Sequence, residues 1–351
     1  MPAIDTAAFG QPVEIGQIGR ALKKLWDADG GTTTRASLVN FAIVCRGLDA
    51  MERNTGVISE FTSQHACRAL LIGIAPEGTP EPRVSAWINA HCHLTRAGAK
   101  QICCEQISFL FEGRSEGRIA STLFANLDSD LPLYLWWQGE FPDPIDETLW
   151  AWVDRLIFDS LEWTSPRAQF SLLRESIERA QAGLVLCDLN WARTLHLRQA
   201  LSQMCDHPDN LAVLHNLDVI TIAHAPENRS TALLLTSWFA AQLKLTTPRA
   251  AGTGFTFQNA EGSTVSFQLR AEAGRSISLC ELSSTSGGIR VQRDQQGDFF
   301  RVEVKLTDGR VYNHLLPAGS NATTSLLLWE IGGGSRHNVY RRALDVLEQL
   351  L

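Results

Sequence analysis

Nothing in this 351-residue sequence looks like a membrane span, a leader or a nucleic-acid footprint. The longest apolar runs, such as Leu233 to Leu235 with Trp238 to Ala241, fall well short of the roughly 20 residues a bilayer requires. The start, MPAIDTAAFGQPVEIGQIGRALKK, has no cationic segment ahead of an apolar one, so no secretory leader is expected. Lys plus Arg number 31 against 38 Asp plus Glu, a net charge of −7 with no basic stripe. Nucleic acid and anionic membrane surfaces are therefore not expected as partners. A cytoplasmic location is expected.

Catalytic signatures are equally sparse. There is no Walker pattern, no G-x-G-x-x-G fingerprint and no C-x-x-C or H-x-x-x-H spacing. No histidine sits in a recognisable triad context, and Asp143 and Asp146 lie in a Pro-rich loop where carboxylates are ordinarily just solvated. Gly332-Gly333-Gly334-Ser335-Arg336 has the glycines and arginine of an anion nest, but a helix cap and restart explains it better. Gly252-Thr253-Gly254 is weaker still. No cofactor and no catalytic residue is assigned.

What the chain does have is eight cysteines and ten tryptophans against three tyrosines. The cysteines are scattered through apolar segments, so most should be reduced, buried thiols. His91-Cys92-His93 and Cys103-Cys104 bring soft ligands onto two strands expected to pair. On a strand, His91 and His93 face one way and Cys92 the other, and Cys103 and Cys104 also face apart. Too few ligands converge, and no metal site is expected. Cys103 or Cys104 can meet Cys92 or Cys45 across the sheet where Cα atoms lie about 5.5 Å apart. Cys92, Cys103 and Cys104 are thus the candidate redox residues.

Apolar periodicity divides the chain near residue 180, into domains over 1–180 and 181–351. In the first, helical spacing over 13–26 precedes strands over 36–45, 69–74, 84–94, 101–111 and 133–137, with a turn at 95–98. Helices are expected over 58–66, 115–127, 149–156 and 166–181, with a short strand at Ile157-Phe158. This alternation predicts an α/β domain with an open, mixed sheet. The second domain reads as α+β: helices over 189–205 and 230–245 flank a strand at 218–224. An antiparallel meander of short strands then runs from 254 to 316, ahead of helices over 324–331 and 337–351.

Several stretches resemble the glucose-6-phosphate dehydrogenase assembly protein family, OpcA. Pro12 to Ile15 through Leu25-Trp26, then Thr34-Arg35-Ala36-Ser37, is similar to that family's first helix and entry to its first strand. His65-Ala66-Cys67-Arg68 resembles its H-P-x-R segment, with alanine in place of proline. Ile102-Cys103-Cys104-Glu105-Gln106-Ile107 is similar to I-C-x-E-x-I. Leu131 to Trp137 resembles the tryptophan-pair strand, and Asp154 to Ser160 the [DR]-x-[IL]-[IV]-x-D-S element. Asp188-Leu189-Asn190-Trp191-Ala192-Arg193 is similar to D-L-x-W-x-R. Asn228 through Ala240 resembles a helix in which Ser237 replaces the usual glycine. Seven motifs in one order, from residue 12 to 243, carry the likeness; beyond 250 only Asn338-Val339-Tyr340 with Ala343-Leu344 continues it. The resemblance implies a partner that promotes assembly or allosteric activation of glucose-6-phosphate dehydrogenase in the oxidative pentose phosphate pathway, in some relatives under redox control. It implies no cofactor.

Tryptophan favours interface hot spots, so Trp136, Trp137, Phe141, Asp159, Trp191 and Arg193 are the candidate partner-binding residues. Trp136 and Trp137 face opposite sides of their strand and equally suit a core. Phe141 sits in a Pro-stiffened loop, Gln138 to Pro144, which makes it the better surface candidate. Trp191 is expected to pack inward with Leu195, and Arg193 to reach a carboxylate such as Asp159 or one of the partner. Two other readings stay open: an unrecognised enzyme or sugar-phosphate binder acting through the second domain, and a thiol-based redox module.

Overall fold

The computed structural model describes residues 6–27, 33–75, 81–94, 101–113, 115–179, 183–294, 298–332 and 338–351. Contacts divide the chain into two compact units, Met1–Cys187 and Asp188–Leu351. No described helix is long and apolar enough to cross a membrane.

The first unit contains, in chain order, β1 (Gln11–Val13), α1 (Ile18–Asp27), β2 (Thr33–Arg35), β3 (Val39–Arg46), α2 (Leu48–Thr62), β4 (Cys67–Ile74), β5 (Arg83–Leu94) and β6 (Gln101–Glu112). There follow α3 (Ile119–Asn126), β7 (Leu133–Trp137), α4 (Glu147–Trp150), β8 (Arg155–Phe158), α5 (Pro166–Arg179) and β9 (Val185–Asp188). The sheet order is β1-β5-β6-β4-β3-β7-β8-β9, with β2 added beside β6. β6, β4, β3, β7 and β8 run parallel, and β5 is antiparallel to β6. The expected open, mixed sheet is present. Its central strands read as unbroken apolar runs, such as FAIVC and ALLIGI, because both faces are covered. The chain leaves β3 in one direction to β4 and returns to its other side at β7, the doubly wound order with its switch point at β3.

The second unit contains α6 (Leu189–Ala192), α7 (Leu195–Cys205), α8 (Pro208–His215), β10 (Leu217–His224), α9 (Arg229–Gln242) and β11 (Thr246–Ala251). Then come β12 (Gly254–Gln258), β13 (Thr264–Ala271), β14 (Ile277–Ser284), β15 (Gly287–Arg293), β16 (Phe299–Leu306), β17 (Val311–Pro317), α10 (Thr323–Gly332) and α11 (Asn338–Leu350). The order is β11-β12-β13-β10-β14-β15-β16-β17. β14 to β17 form the expected antiparallel meander. β10 wedges between β13, to which it is parallel, and β14. Alternation sets the buried face: Phe267 and Leu269, Cys280 and Leu282, Ile289 and Val291, and Val302 and Val304 all point inward.

Four expectations need correction. Val13 belongs to β1, and the opening helix starts only at Ile18. The helix expected over 58–66 is the end of α2, which begins at Leu48. The helix expected over 149–156 stops after one turn at Trp150, and Arg155 and Leu156 open β8. Leu149, Trp150, Val153 and Leu156 satisfy helical spacing, but three successive core positions at 156–158 fit only a strand covered on both faces. The helix expected over 189–205 is broken at Arg193-Thr194, where Thr194 leaves helical geometry (φ −92°, ψ 0°). Residues 95–98 and 333–336, the expected turn and most of the glycine nest, lie outside the described residues.

Candidate functional site

Three residues from three separate elements meet around one buried carboxylate. Glu105 on β6 is 1% exposed; its Oε2 accepts from Arg68 Nε (3.1 Å) and Nη2 (2.9 Å) on β4 and lies 3.0 Å from Arg35 Nη2 on β2. Its Oε1 accepts from Trp26 Nε1 of α1 at 2.6 Å. Register makes the meeting: Arg35 pairs with Cys103, and Ala69 with Gln106, which places both arginines beside Glu105. Lys23, Gly19 and Leu22 of α1 complete a cleft of about 440 Å3 over the cluster. A carboxylate that accepts from Arg68 and Trp26 and is ion-paired with Arg35 has little capacity left for general-base work.

The two cysteines on this face are bonded. Cys92 and Cys103 stand directly opposite in the β5–β6 ladder, Cα atoms 4.1 Å apart, and form a disulfide. Cys103 and Glu105, two residues apart on one strand, share a face. On the other face His91 Nε2 engages Gln106 Oε1 (2.6 Å) and His93 Nε2 engages Thr62 Oγ1 (3.2 Å) of α2. Cys104, on the α2 face, is a free buried thiol whose pKa is raised by desolvation, so it is poorly poised as a thiolate. Among the described residues, no three His, Cys, Asp or Glu side chains gather to hold a metal.

At the switch point a side-chain amide pair links α2 to the end of β7. Dinucleotide-binding folds put a glycine-rich turn after the first strand so that pyrophosphate can approach the backbone. Here β3 runs into Arg46-Gly47-Leu48-Asp49, with one glycine (φ +83°) and an acid in the first turn of α2. Asn54 and Gln138 exchange reciprocal amide hydrogen bonds (3.0 and 2.8 Å) between α2 and the end of β7. One string escaped the sequence reading. Gly113-Arg114-Ser115-Glu116-Gly117 matches the G-x-S-x-G spacing between a strand and a helix. Ser115 is buried and donates through Oγ to Glu112 O at 2.8 Å, with φ −101° instead of the strained turn a nucleophile elbow requires.

Phe141, expected at the surface, is core. It packs edge-on against Trp150, Phe158 and Trp163, with Trp137 at 6.3 Å. Its loop is clamped: Phe141 N donates to Gln169 Oε1, Trp137 Nε1 to Glu140 O and Trp163 Nε1 to Gly139 O. Trp136 and Trp137 are both buried, as sheet residues with each face covered must be. Asp159 is buried too, and its Oδ1 accepts from Leu161 N. Trp152 is the exposed tryptophan of this unit, 66% accessible and set against Phe124 at 5.5 Å.

In the second unit Asp188 caps α6, accepting from Asn190 N, while its other oxygen accepts from Tyr340 Oη of α11 (2.9 Å each). Asn190 lies inside the helix and ties it to α9 through Thr231 and Ser230. Trp191 is buried, as expected. Its ring meets Tyr340 at a tilt (5.2 Å between centroids) and Arg198, whose guanidinium carbon sits 3.5 Å from the ring centre. Arg198 Nε donates to Thr194 Oγ1 and Nη2 to Trp191 O. Burial lowers its pKa to about 9, so it stays charged at neutral pH. Arg193 is half-buried, and its backbone N–H closes α6 on Leu189 O. Arg198 was missed in the sequence, although it stands two helical turns from Trp191. A groove of about 680 Å3 runs beside Arg198, lined largely by Leu195, Leu201, Trp238, Phe239 and Leu243.

The regions matched by known families take in Arg68, Glu105 and the Asp188–Trp191 cluster, while Trp26 and Arg35 lie ahead of them. Residues 59–175 match the family described as the glucose-6-phosphate dehydrogenase subunit N-terminal domain, and residues 185–344 the corresponding C-terminal domain. The chain belongs to the OpcA family. A curated OxPP cycle protein OpcA from Nostoc punctiforme is 30% identical over 192 residues, 54% of this chain and 40% of that protein. Its counterpart from Synechocystis sp. is 24% identical over 195 residues, 55% of this chain and again 40% of the relative. The matched stretch thus spans well under two thirds of either OpcA relative. Among solved structures, aldose-aldose oxidoreductase from Caulobacter crescentus aligns over 89% of this chain and 95% of its own, at 10% identity and a TM-score of 0.48.

Proposed function

We propose that this chain binds glucose-6-phosphate dehydrogenase and promotes its assembly or activation, serving the oxidative pentose phosphate pathway without catalysing a step itself. The observation that carries this reading is the fate of the family motifs. Trp26, Arg35, Arg68 and Glu105 bond to one another, and Asp188, Asn190 and Trp191 are fixed by Tyr340, Thr231 and Arg198. Such residues hold a shape for a partner instead of presenting reactive groups to a substrate. The switch point, with its one glycine and its Asn54–Gln138 amide pair, supports the same reading. The test is to mix the pure chain with its host's dehydrogenase and follow co-elution and initial rates. Neither co-elution nor a change in rate at micromolar concentration would overturn it.

Trp152 with Phe124 is the proposed anchor for that partner, since a buried aromatic cannot reach one and this pair can. Trp152→Ala is expected to weaken dehydrogenase binding about 30-fold, the equivalent of a hot spot of about 2 kcal/mol. The melting temperature should not move. Unchanged affinity in a titration would reject the anchor.

The disulfide supports a second reading, redox control through Cys92 and Cys103. Closing so short a loop stabilises by about 3 kcal/mol in the chain-entropy account. Cys103→Ser should therefore lower stability by about that amount. Reductant should destabilise the natural chain equally and leave the variant unaffected. If reductant shifts both melts alike, the bridge is not the element sensed.

A further inference from the structure

The sheet of the second unit ends in two unlike edges. At one, β11 carries Pro248 and a left-handed Thr247 (φ 50°), features that hinder another strand from adding there. At the other, β17 has the sequence VYNHLLP, without a single Asp, Glu, Lys or Arg. Val311, Tyr312 and Leu315 are 47%, 40% and 65% exposed. A long, uncharged, apolar edge is the kind that pairs with another strand.

The ladder fixes which backbone groups of β17 are available. Leu306 N donates to Arg310 O and Ala318 N to Asp298 O, so in the alternating antiparallel pattern Tyr312, His314 and Leu316 turn their backbone groups towards β16. Val311, Asn313 and Leu315 turn theirs outward. An antiparallel second copy with its two-fold axis at Asn313 sets Asn313 against Asn313 and Val311 against Leu315. Every outward N–H then meets an outward C=O of the other copy, and the apolar side chains of Val311 and Leu315 abut on one face. Pro317, the next outward position, has no N–H and ends the ladder. The nearby charges are already compensated within each copy: Lys305 by Glu303 at 3.1 Å, Arg301 by Asp294 at 3.2 Å, and Arg310 by Asp308. Nothing in the edge repels its own copy.

We infer that β17 joins two copies of this chain, related by a two-fold axis at Asn313, into a dimer with one sheet running across the axis. The occupant is a second copy because the edge is complementary to itself in register, apolar contact and charge at once. This inference is independent of the dehydrogenase reading, since it concerns the chain alone.

Sedimentation of the full chain should give twice the protomer mass at micromolar concentration. Asn313→Pro removes an N–H that no bond within the protomer uses, and should yield a monomer with an unchanged circular dichroism spectrum. Asn313→Cys places two thiols at a pair whose Cα atoms are about 5.5 Å apart, within disulfide range. It should cross-link under mild oxidation, whereas Tyr312→Cys, off the axis, should not. A monomeric natural chain, a dimer that survives Asn313→Pro, or equal cross-linking of the two cysteine variants would each overturn the inference. So would an Asn313→Pro variant that keeps its own mass but no longer co-elutes with the dehydrogenase, because the edge would then belong to that partner.

Discussion

Glu105→Ala should destabilise the first unit by about 3–5 kcal/mol, the usual cost of removing one partner from a buried ion pair. The carboxylate is 1% exposed, while Arg35 is 45% and Arg68 16% exposed by side chain. Arg35 can therefore swing into water when its partner is lost. Arg68 cannot do so easily, and among the described residues its charge is left with Asn126 O as acceptor at 3.3 Å. Trp26 Nε1 loses its acceptor as well, loosening the last turn of α1, which Ile18 and Leu22 still hold to the unit. At about 2–4 °C per kcal/mol for a unit of this size, the melt should fall by roughly 10 °C.

A double-mutant cycle separates the ion pair from simple packing. If Arg68 is costly only because it is stranded, Arg68→Met combined with Glu105→Met should recover much of the stability lost in Glu105→Ala. A loss below about 1 kcal/mol in Glu105→Ala would mean that water already solvates the cluster. Losses that simply add in the double variant would mean that the two residues do not act as a pair.

The cluster shows how far local sequence carries. Each of its members lies in a stretch read as a family motif, and the strands that hold them stand out as apolar runs. Their convergence depends on β2 and β4 lying in line along the same side of β6, both parallel to it, a non-local register that periodicity does not encode. Facing is encoded: the opposition of Cys92 to His91 and His93 follows from strand alternation alone, and the Cys92–Cys103 bridge is one of the pairings that alternation permits. Phe141 shows where composition misleads. A loop rich in Pro, Gly and acids suggests solvent, yet its aromatic residue reaches back among Trp150, Phe158 and Trp163. Short elements fail for a different reason. β9 has only four residues, too few for a period to appear, and the single turn of α4 depends on the Asp146 cap more than on apolar spacing.

Trp191→Ala should cost about 3–5 kcal/mol, the range for deleting a fully buried aromatic ring, and it should act on the second unit. The ring contacts both Tyr340 and the Arg198 guanidinium. Its loss opens a cavity and also strips Arg198 of the aromatic face that compensates a desolvated charge. Arg198 would keep Thr194 Oγ1 and the carbonyl of residue 191. Arg193, two residues on, is turned about 200° around the helix from Trp191 and only half-buried. We propose that it also serves a contact beyond its own core, so Arg193→Ala should lower the melt clearly less than Trp191→Ala does. Its effect should appear as weaker activation of the dehydrogenase. Melts and activation assays run side by side on both variants decide the matter: equal destabilisation, or full activation by the Arg193 variant, would end the proposed division between a packing tryptophan and a contact arginine. Arg198→Lys supplies the control. It keeps the charge but loses the planar stack and the bonded fork, so it should fall between the other two in stability if the stack, and not charge alone, holds Trp191 in place.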